Sequence, residues 1–512
     1  MAFLLGLDLG TTGVKALLMS IEGKVIFTSF EEYPLLTPEV NWAEQNPSDW
    51  WQATVKSIQQ LIQKTGIKSE KIIGIGLSGQ MHGLVLLDKN HKVLRPAILW
   101  CDQRTQRECD YITSKIGKKR LIELTSNPAL TGFTAGKLLW VRENEPRVYE
   151  ELYKILLPKD YIRFRLTGEF ATEVSDASGT LFLDVKNRKW SKELLSELDI
   201  DMNFLPECYE SSVVSGEISP EASKLTGLKE GTPVVGGAGD QAAQAIGSGV
   251  IKEGVLSATI GTSGVVFASS GKPRIDPLNR LQTFCHAVPN KWHLMGVMLS
   301  AGGSLRWLRD TLCKEEKKKA KQEDKDPYDI MTEEASDVPP GSGGLIFLPY
   351  LTGERTPYPD PMAKGVFFGL TLRHSKSHLI RAVLEGVAYG LRDSLEIIKD
   401  LKIPIEEIRC SGGGNCSSLW RQIQADINNS EMVTVNVNEG AAFGSALLAG
   451  VGTSVYDNVE EACKQTIKIV TTTRPQEENV RIYNKYYEIY HSLYPILKER
   501  FASLSDLIGR RG

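Results

Sequence analysis

The sequence predicts a two-domain protein of mixed α/β class. Three observations carry that expectation. At 512 residues the chain exceeds what one hydrophobic core usually organises. A glycine–hydroxyl turn occurs twice, half a chain apart, as Gly10-Thr11-Thr12-Gly13 and Gly261-Thr262-Ser263-Gly264. Each turn joins two strand-like runs. Elsewhere strands and helices alternate without the regular period of a βα barrel.

The elements follow in order. Phe3–Leu7, Val14–Met19 and Val25–Phe30 are apolar or β-branched runs separated by turns, hence a strand meander. Trp50–Lys64 has helical periodicity, with Ser48 or Asp49 as N-cap. Lys71–Leu77 and Leu84–Asp88 read as strands, and helical patterns dominate 103–165. Thr172–Asp184 is polar and turn-rich. Val234-Val235-Gly236-Gly237 reads as a short strand, followed by a small-residue helix over Gln241–Ile246. Glycines at 247, 249 and 254 mark the boundary, giving domains 1–247 and 248–512. The second domain restarts with the hairpin around Gly261. Strands are expected at His293–Met298, Leu345–Leu348, Ile408–Ser411 and Met432–Val437, and helices at Ser377–Asp400 and from Gly440. The mixed charges of Lys314–Asp329 predict a solvated helix or surface insertion. A helix over 475–505 closes the chain.

Hydrophobic residues make up 41% and charged residues 24%, the profile of a soluble globular chain. A net charge of −3 gives no reason to expect nucleic acid or an acidic membrane as partner. No apolar run approaches the roughly 18 residues of a transmembrane helix, and no signal peptide is expected. The eight cysteines form no C-x-x-C, which fits free thiols in a reducing cytoplasm. His374 and His378, spaced i, i+4, have no third ligand in view and read as a surface helix start.

Two motifs fail on context. Gly74-Ile75-Gly76-Leu77-Ser78-Gly79 matches the dinucleotide fingerprint but leads into another strand instead of a helix. Gly132 to Lys137 is too short for a P-loop, and Leu138 stands where magnesium would need a hydroxyl.

Glycine turns expose backbone N–H groups that cradle anions, so two such turns on two lobes suit a polyphosphate. Asp8 ends the strand before the first turn, where a carboxylate could hold nucleotide-bound magnesium. Asp240 follows Gly236-Gly237-Ala238-Gly239, among residues too small to block access. That position fits a general base for phosphoryl transfer, working at an ordinary carboxylate pKa, or a helix N-cap. The run Gly412-Gly413-Gly414 at a strand end leaves a flat space for a planar ring. The bare helix from Gly440 to Ala446 lets a ligand or another backbone pack closely, and together with the second hairpin it favours the same pocket.

Together these residues resemble the sugar kinases of the FGGY family, in the actin–hexokinase-type ATPase superfamily. Gly132-Phe133-Thr134-Ala135-Gly136-Lys137, running on to Asn144, resembles the family's first signature. Gly365-Val366-Phe367-Phe368-Gly369-Leu370, continuing through His378 to Glu385, resembles its second. Ser78-Gly79-Gln80-Met81-His82-Gly83, the stretches Trp42–Pro47 and Trp100–Arg104, and Ser175–Thr180 are similar to the branch that phosphorylates D-xylulose. The resemblance implies two ribonuclease-H-like domains around a cleft, with ATP and Mg2+ as cofactors. It implies sugar contacts from Gln80, Met81, His82, Trp100, Asp240 and Gln241, with Asp240 as base and Asp8 on the metal. Neutral His82 would offer sugar hydroxyls one donor and one acceptor. ATP would lie against Thr11, Thr12, Lys15, Gly261, Thr262, Ser263, Gly302, Gly413, Gly414 and Asn415. Glycerol kinases of the family share the glutamine of Gln241, so ribulose, glycerol and gluconate stay open, as does a non-catalytic sensor. The partners implied are a small sugar and ATP, with a homodimer left open.

Overall fold

The computed structural model describes residues 1–509. The N-terminal apolar run is a strand because neighbours cover both of its faces. Phe3–Leu9 pairs antiparallel with Gly13–Ser20, and that strand with Val25–Glu32, as the meander requires. Ile72–Gly79 then pairs parallel with Phe3–Leu9, after crossing over through the helix Pro47–Thr65. Pro233–Val235 and Val214–Glu217 extend this seven-stranded sheet, and Ala238–Gly239 pairs with the end of Ile72–Gly79.

The second half repeats the plan. Gly254–Ile260, Gly264–Ser270 and Trp292–Met298 form the meander. Ile405–Ser411 and Glu431–Val435 add the parallel strands, and Ile469–Thr473 and Gln282–Cys285 close the two edges. The repeat keeps the strand-end register. Asp8 stands opposite Ser78, and Thr259, at the corresponding position, stands opposite Ser411. Only the first sheet carries a carboxylate there.

Two helices cross where the lobes meet. Asp240–Gly247 leaves the first sheet and Gly440–Gly452 leaves the second. The second of these lies on the first sheet. A Cβ at Gly6 would fall 1.9 Å from the Ala442 oxygen, and one at Gly76 1.8 Å from the Ser445 oxygen. The helices touch backbone to backbone as well, since a Cβ at Gly247 would lie 1.9 Å from the Gly440 oxygen. The bare face of Gly440–Ala446 therefore packs protein and not a ligand, against expectation. The fingerprint glycine Gly76 has the same duty.

Three smaller expectations change. The helix Pro47–Thr65 starts earlier, with Asn46 as N-cap, so neither Ser48 nor Asp49 caps it. Thr172–Asp184, read as polar and turn-rich, is buried almost throughout. The charged run forms the helix Lys314–Glu323 and the start of Pro327–Ser336, which reaches into a cavity described below. His374 and His378 sit at a helix start, where His378 completes a capping box with Ser375. No described helix is long and apolar enough to cross a membrane.

Candidate active site

One cavity opens between the lobes, a second lies within the second lobe, and the two meet at Thr262. The first, of about 560 Å3, has Thr11, Met81, His82, Trp100, Asp240 and Gln241 among its wall residues. Thr262 and Ser263 reach it from the second lobe. The second, of about 350 Å3, is bounded by Gly261, Gly302, Gly413 and Gly414. The structure thus brings together expected residues that lie up to four hundred positions apart in sequence.

Asp240 is the first residue of its helix and opens onto the first cavity. Its Oδ1 accepts the Gln241 N–H at 2.7 Å. Burial, and then the charge of Asp8, push its pKa up to about 7. This corrects the expected ordinary carboxylate value: nothing cationic stands by to hold the charge. The glycine run before it is clamped from behind. Ser175 Oγ accepts the Gly239 N–H at 3.1 Å, and Arg163 donates to the Gly236 carbonyl. Arg163 belongs to a fully buried ion cluster with Lys159, Asp160, Glu173 and Asp176. That cluster is what the polar stretch near 175 builds.

Asp8 does not line either cavity. Its Oδ1 is buried without a hydrogen-bond partner, and burial raises its pKa. Lys15 stands opposite Asp8 across the hairpin and draws that pKa back, while Thr12 is exposed at the turn. Neither lines a cavity.

His82 adopts a left-handed conformation with φ of 67°. Its Nδ1–H donates to the Gly179 carbonyl at 2.7 Å. A carbonyl only accepts, so Nδ1 carries the hydrogen and Nε2 keeps its lone pair. The imidazole therefore brings one acceptor to the cavity, not the expected donor and acceptor. Burial pushes its pKa down to about 3, so it stays neutral. Phe133 stacks on the ring at 4.8 Å.

Lys137 explains the false P-loop. Its buried Nζ donates to the carbonyls of His82 and Gly132, both at 2.8 Å. It holds the His82 turn, with Thr134 Oγ1 donating to the same His82 oxygen at 3.0 Å.

Gln80 and Asn415 are relocated. Gln80 Nε2 donates to Gln45 Oε1 at 3.0 Å, and Gln80 Oε1 accepts from Thr11 at 3.3 Å. The Trp100 indole N–H donates to Thr11 Oγ1 at 3.0 Å. Gln80 thus steadies the first turn from behind the cavity wall. Asn415 is buried and donates to the Ser411 carbonyl at 2.6 Å, which shapes the glycine turn from inside.

Several wall residues gave no signal in the sequence. Arg355 lines the first cavity, and Arg306, Asp326, Tyr328 and Asp329 the second. The helix Gly302–Leu312 begins at the second turn, where the Gly302 and Gly303 N–H groups donate to the carbonyls of Gly261 (2.9 Å) and Thr262 (3.0 Å).

The model of the FGGY family of carbohydrate kinases, N-terminal domain, matches residues 3–247, and that of its C-terminal domain matches 256–453. The chain belongs to the FGGY family of carbohydrate kinases. It is 36% identical to a xylulose kinase of Bacillus subtilis (strain 168), over 99% of each chain. It is 39% identical to a xylulose kinase of Escherichia coli (strain K12), over 96% of this chain and 98% of that one. The solved structure of ligand-bound xylulose kinase from Lactobacillus acidophilus superposes with a TM-score of 0.90 at 30% identity, covering 98% of this chain and 100% of that one. As an FGGY member the protein is an ATP-dependent sugar kinase, and its doubled α/β plan is that of the actin–hexokinase-type ATPases.

Proposed function

We propose that this FGGY kinase transfers the γ-phosphoryl group of ATP to O5 of D-xylulose. The observation that carries the reading is the junction of the two cavities at Thr262. One cavity offers a carboxylate and an imidazole acceptor, as a polyol needs. The other offers glycine walls, which leave the backbone bare for the close approach of a nucleotide. The xylulose kinases matched over nearly the whole chain support the choice of sugar.

In this reading the sugar lies against Met81, Trp100 and Gln241, with a hydroxyl donating to His82 Nε2. Asp240 accepts the proton of the attacking hydroxyl as the oxygen–phosphorus bond forms, and ADP leaves with the electrons of the broken bond. The turns at Thr11 and Thr262 hold phosphate oxygens from the two lobes, and Gly302, Gly413 and Gly414 border the nucleotide. Burying the reactants between the lobes excludes water as a competing acceptor.

The residues fit magnesium. A buried carboxylate oxygen of Asp8 lacks a partner, and hard oxygen donors suit an ion that needs one or two carboxylates. Bound there, magnesium would neutralise phosphate charge. We place the domain division at 247/248, between the crossing helix and the second hairpin. Eight free cysteines suit work in a reducing cytoplasm.

A coupled ADP-release assay across D-xylulose, D-ribulose, glycerol and D-gluconate tests the reading. D-Xylulose is expected to give the highest kcat/KM. Asp240→Ala should lower kcat by roughly 10²–10⁴-fold while ATP still binds. A higher kcat/KM with another compound would replace the sugar, and a variant keeping a tenth of the rate would remove Asp240 as base.

A further inference from the structure

Arg355 is the one strongly basic side chain among the wall residues of the sugar cavity. Its backbone is fixed by the surrounding loop. The Arg355 N–H donates to Glu354 Oε1 at 2.7 Å, and the same oxygen accepts the Leu299 N–H at 3.0 Å. The Thr356 N–H donates to the Val297 carbonyl at 3.0 Å, and Thr356 Oγ1 to the Arg280 carbonyl at 2.9 Å. The guanidinium itself has no hydrogen-bond or ion-pair partner among the described residues, although its own neighbour in sequence is a carboxylate. Other enclosed arginines of the chain are paired: Arg104 with Asp102, Arg163 with Asp160, Arg381 with Glu385. A half-buried guanidinium without a partner, at a cavity wall, keeps its donors free for a ligand.

Its position within the cavity is also defined. Thr356, next to Arg355, is bonded to Val297, which packs in one cluster with Phe133 and Phe284, the two rings that lie against His82, and the charge of Arg355 acts on that imidazole. Arg355 therefore faces the His82 side of the cavity, away from the carboxylate that meets the reacting hydroxyl. A guanidinium donates in a planar fork and accepts nothing, so its partner must be oxygen-rich and electron-rich.

We propose that Arg355 is the second lobe's ligand for the sugar, donating to oxygens at the end remote from the transferred phosphoryl group. By the same chemistry it gives the cavity affinity for a sugar acid whose carboxylate replaces that end. Sugar then bridges the lobes, with His82 and Asp240 on one side and Arg355 on the other. The inference rests on the sugar-kinase reading for the identity of the ligand.

The test uses Arg355→Gln and Arg355→Lys in the full chain, with D-xylulose and the five-carbon aldonate D-xylonate as probes. Thermal melting and ATP titration first establish that each variant is folded. Direct calorimetric binding is read alongside turnover. The wild type should bind D-xylonate in competition with the sugar. Arg355→Gln should weaken D-xylonate and raise the sugar KM, each by about tenfold or more, with the ATP KM unchanged. Arg355→Lys should restore part of the D-xylonate affinity but less of the sugar KM, because it keeps charge without the fork. Unaltered affinity for both probes in folded Arg355→Gln would overturn the proposal, as would a wild type that ignores D-xylonate. A wild type that binds both probes but turns over another sugar better would count against the D-xylulose reading alone.

Discussion

Asp240 concentrates the chemistry at the scale of single residues. Its pKa near 7 comes from burial and from Asp8, so below that pH it holds a proton and cannot act as base. The acid limb of the kcat/KM profile should therefore lie near pH 7, not near 4. Asp8→Asn removes a negative neighbour and should move that limb to lower pH, while weakening the response to magnesium. A limb unmoved in the variant would uncouple the two carboxylates. His82 behaves oppositely. It stays neutral at working pH and adds no titration of its own to the profile, and His82→Ala should raise the sugar KM and leave the ATP KM alone. Asp240 was legible because a strand end and a glycine run announce exposed chemistry, whereas Met81 and His82 were found only through the family resemblance. The supporting side chains were not legible. Gln80 and Asn415 look like ligands in sequence, since an amide that braces a turn and one that binds a substrate are the same residue type. Arg355 had no pattern around it at all.

Among the elements, the hairpins, the parallel strands and the long helices follow from alternation and turn chemistry, and the structure keeps them within a few residues. The crossing of Asp240–Gly247 and Gly440–Gly452 was beyond reach, because small residues alone do not say whether backbone or ligand will fill the space they leave. Two glycines separate these cases. Gly76→Ala drives a Cβ into the Ser445 carbonyl and should cost about 1–3 kcal/mol or more in urea unfolding. Gly413→Ala meets nothing within 4 Å, so stability should hold while the ATP KM rises. Comparable destabilisation by both would mean that Gly413 serves packing instead of the nucleotide.

On the scale of the whole molecule, the site belongs to neither lobe. His82 and Asp240 come from the first half, and Thr262, Arg355 and Gly413 from the second. Ligands that touch both halves should draw them together, as in other enzymes that close on their substrates. Gly249 and Gly254, with φ of 73° and 90°, lie in the connection, whereas Gly247 is occupied by the helix crossing. Small-angle scattering should give a smaller radius of gyration with sugar and a non-hydrolysable ATP analogue than without. Identical profiles at saturating ligand would describe a cleft already set. Sequence reading found the doubling through the paired turns. That Asp8 has Thr259 as its counterpart emerged from the registers of the two sheets.

The helix Gly440–Gly452 also sets a timetable for biosynthesis. The sheet it covers is translated within the first 240 residues, yet its glycine-lined face waits for a segment made some two hundred residues later. Until then the nascent first lobe presents Leu4, Leu17 and Met19, which the finished protein buries, to whatever surrounds the ribosome. A chain stopped at residue 247 should accordingly precipitate or bind chaperones. Supplying residues 248–512 in trans should recover soluble protein, because the missing cover arrives on the second piece.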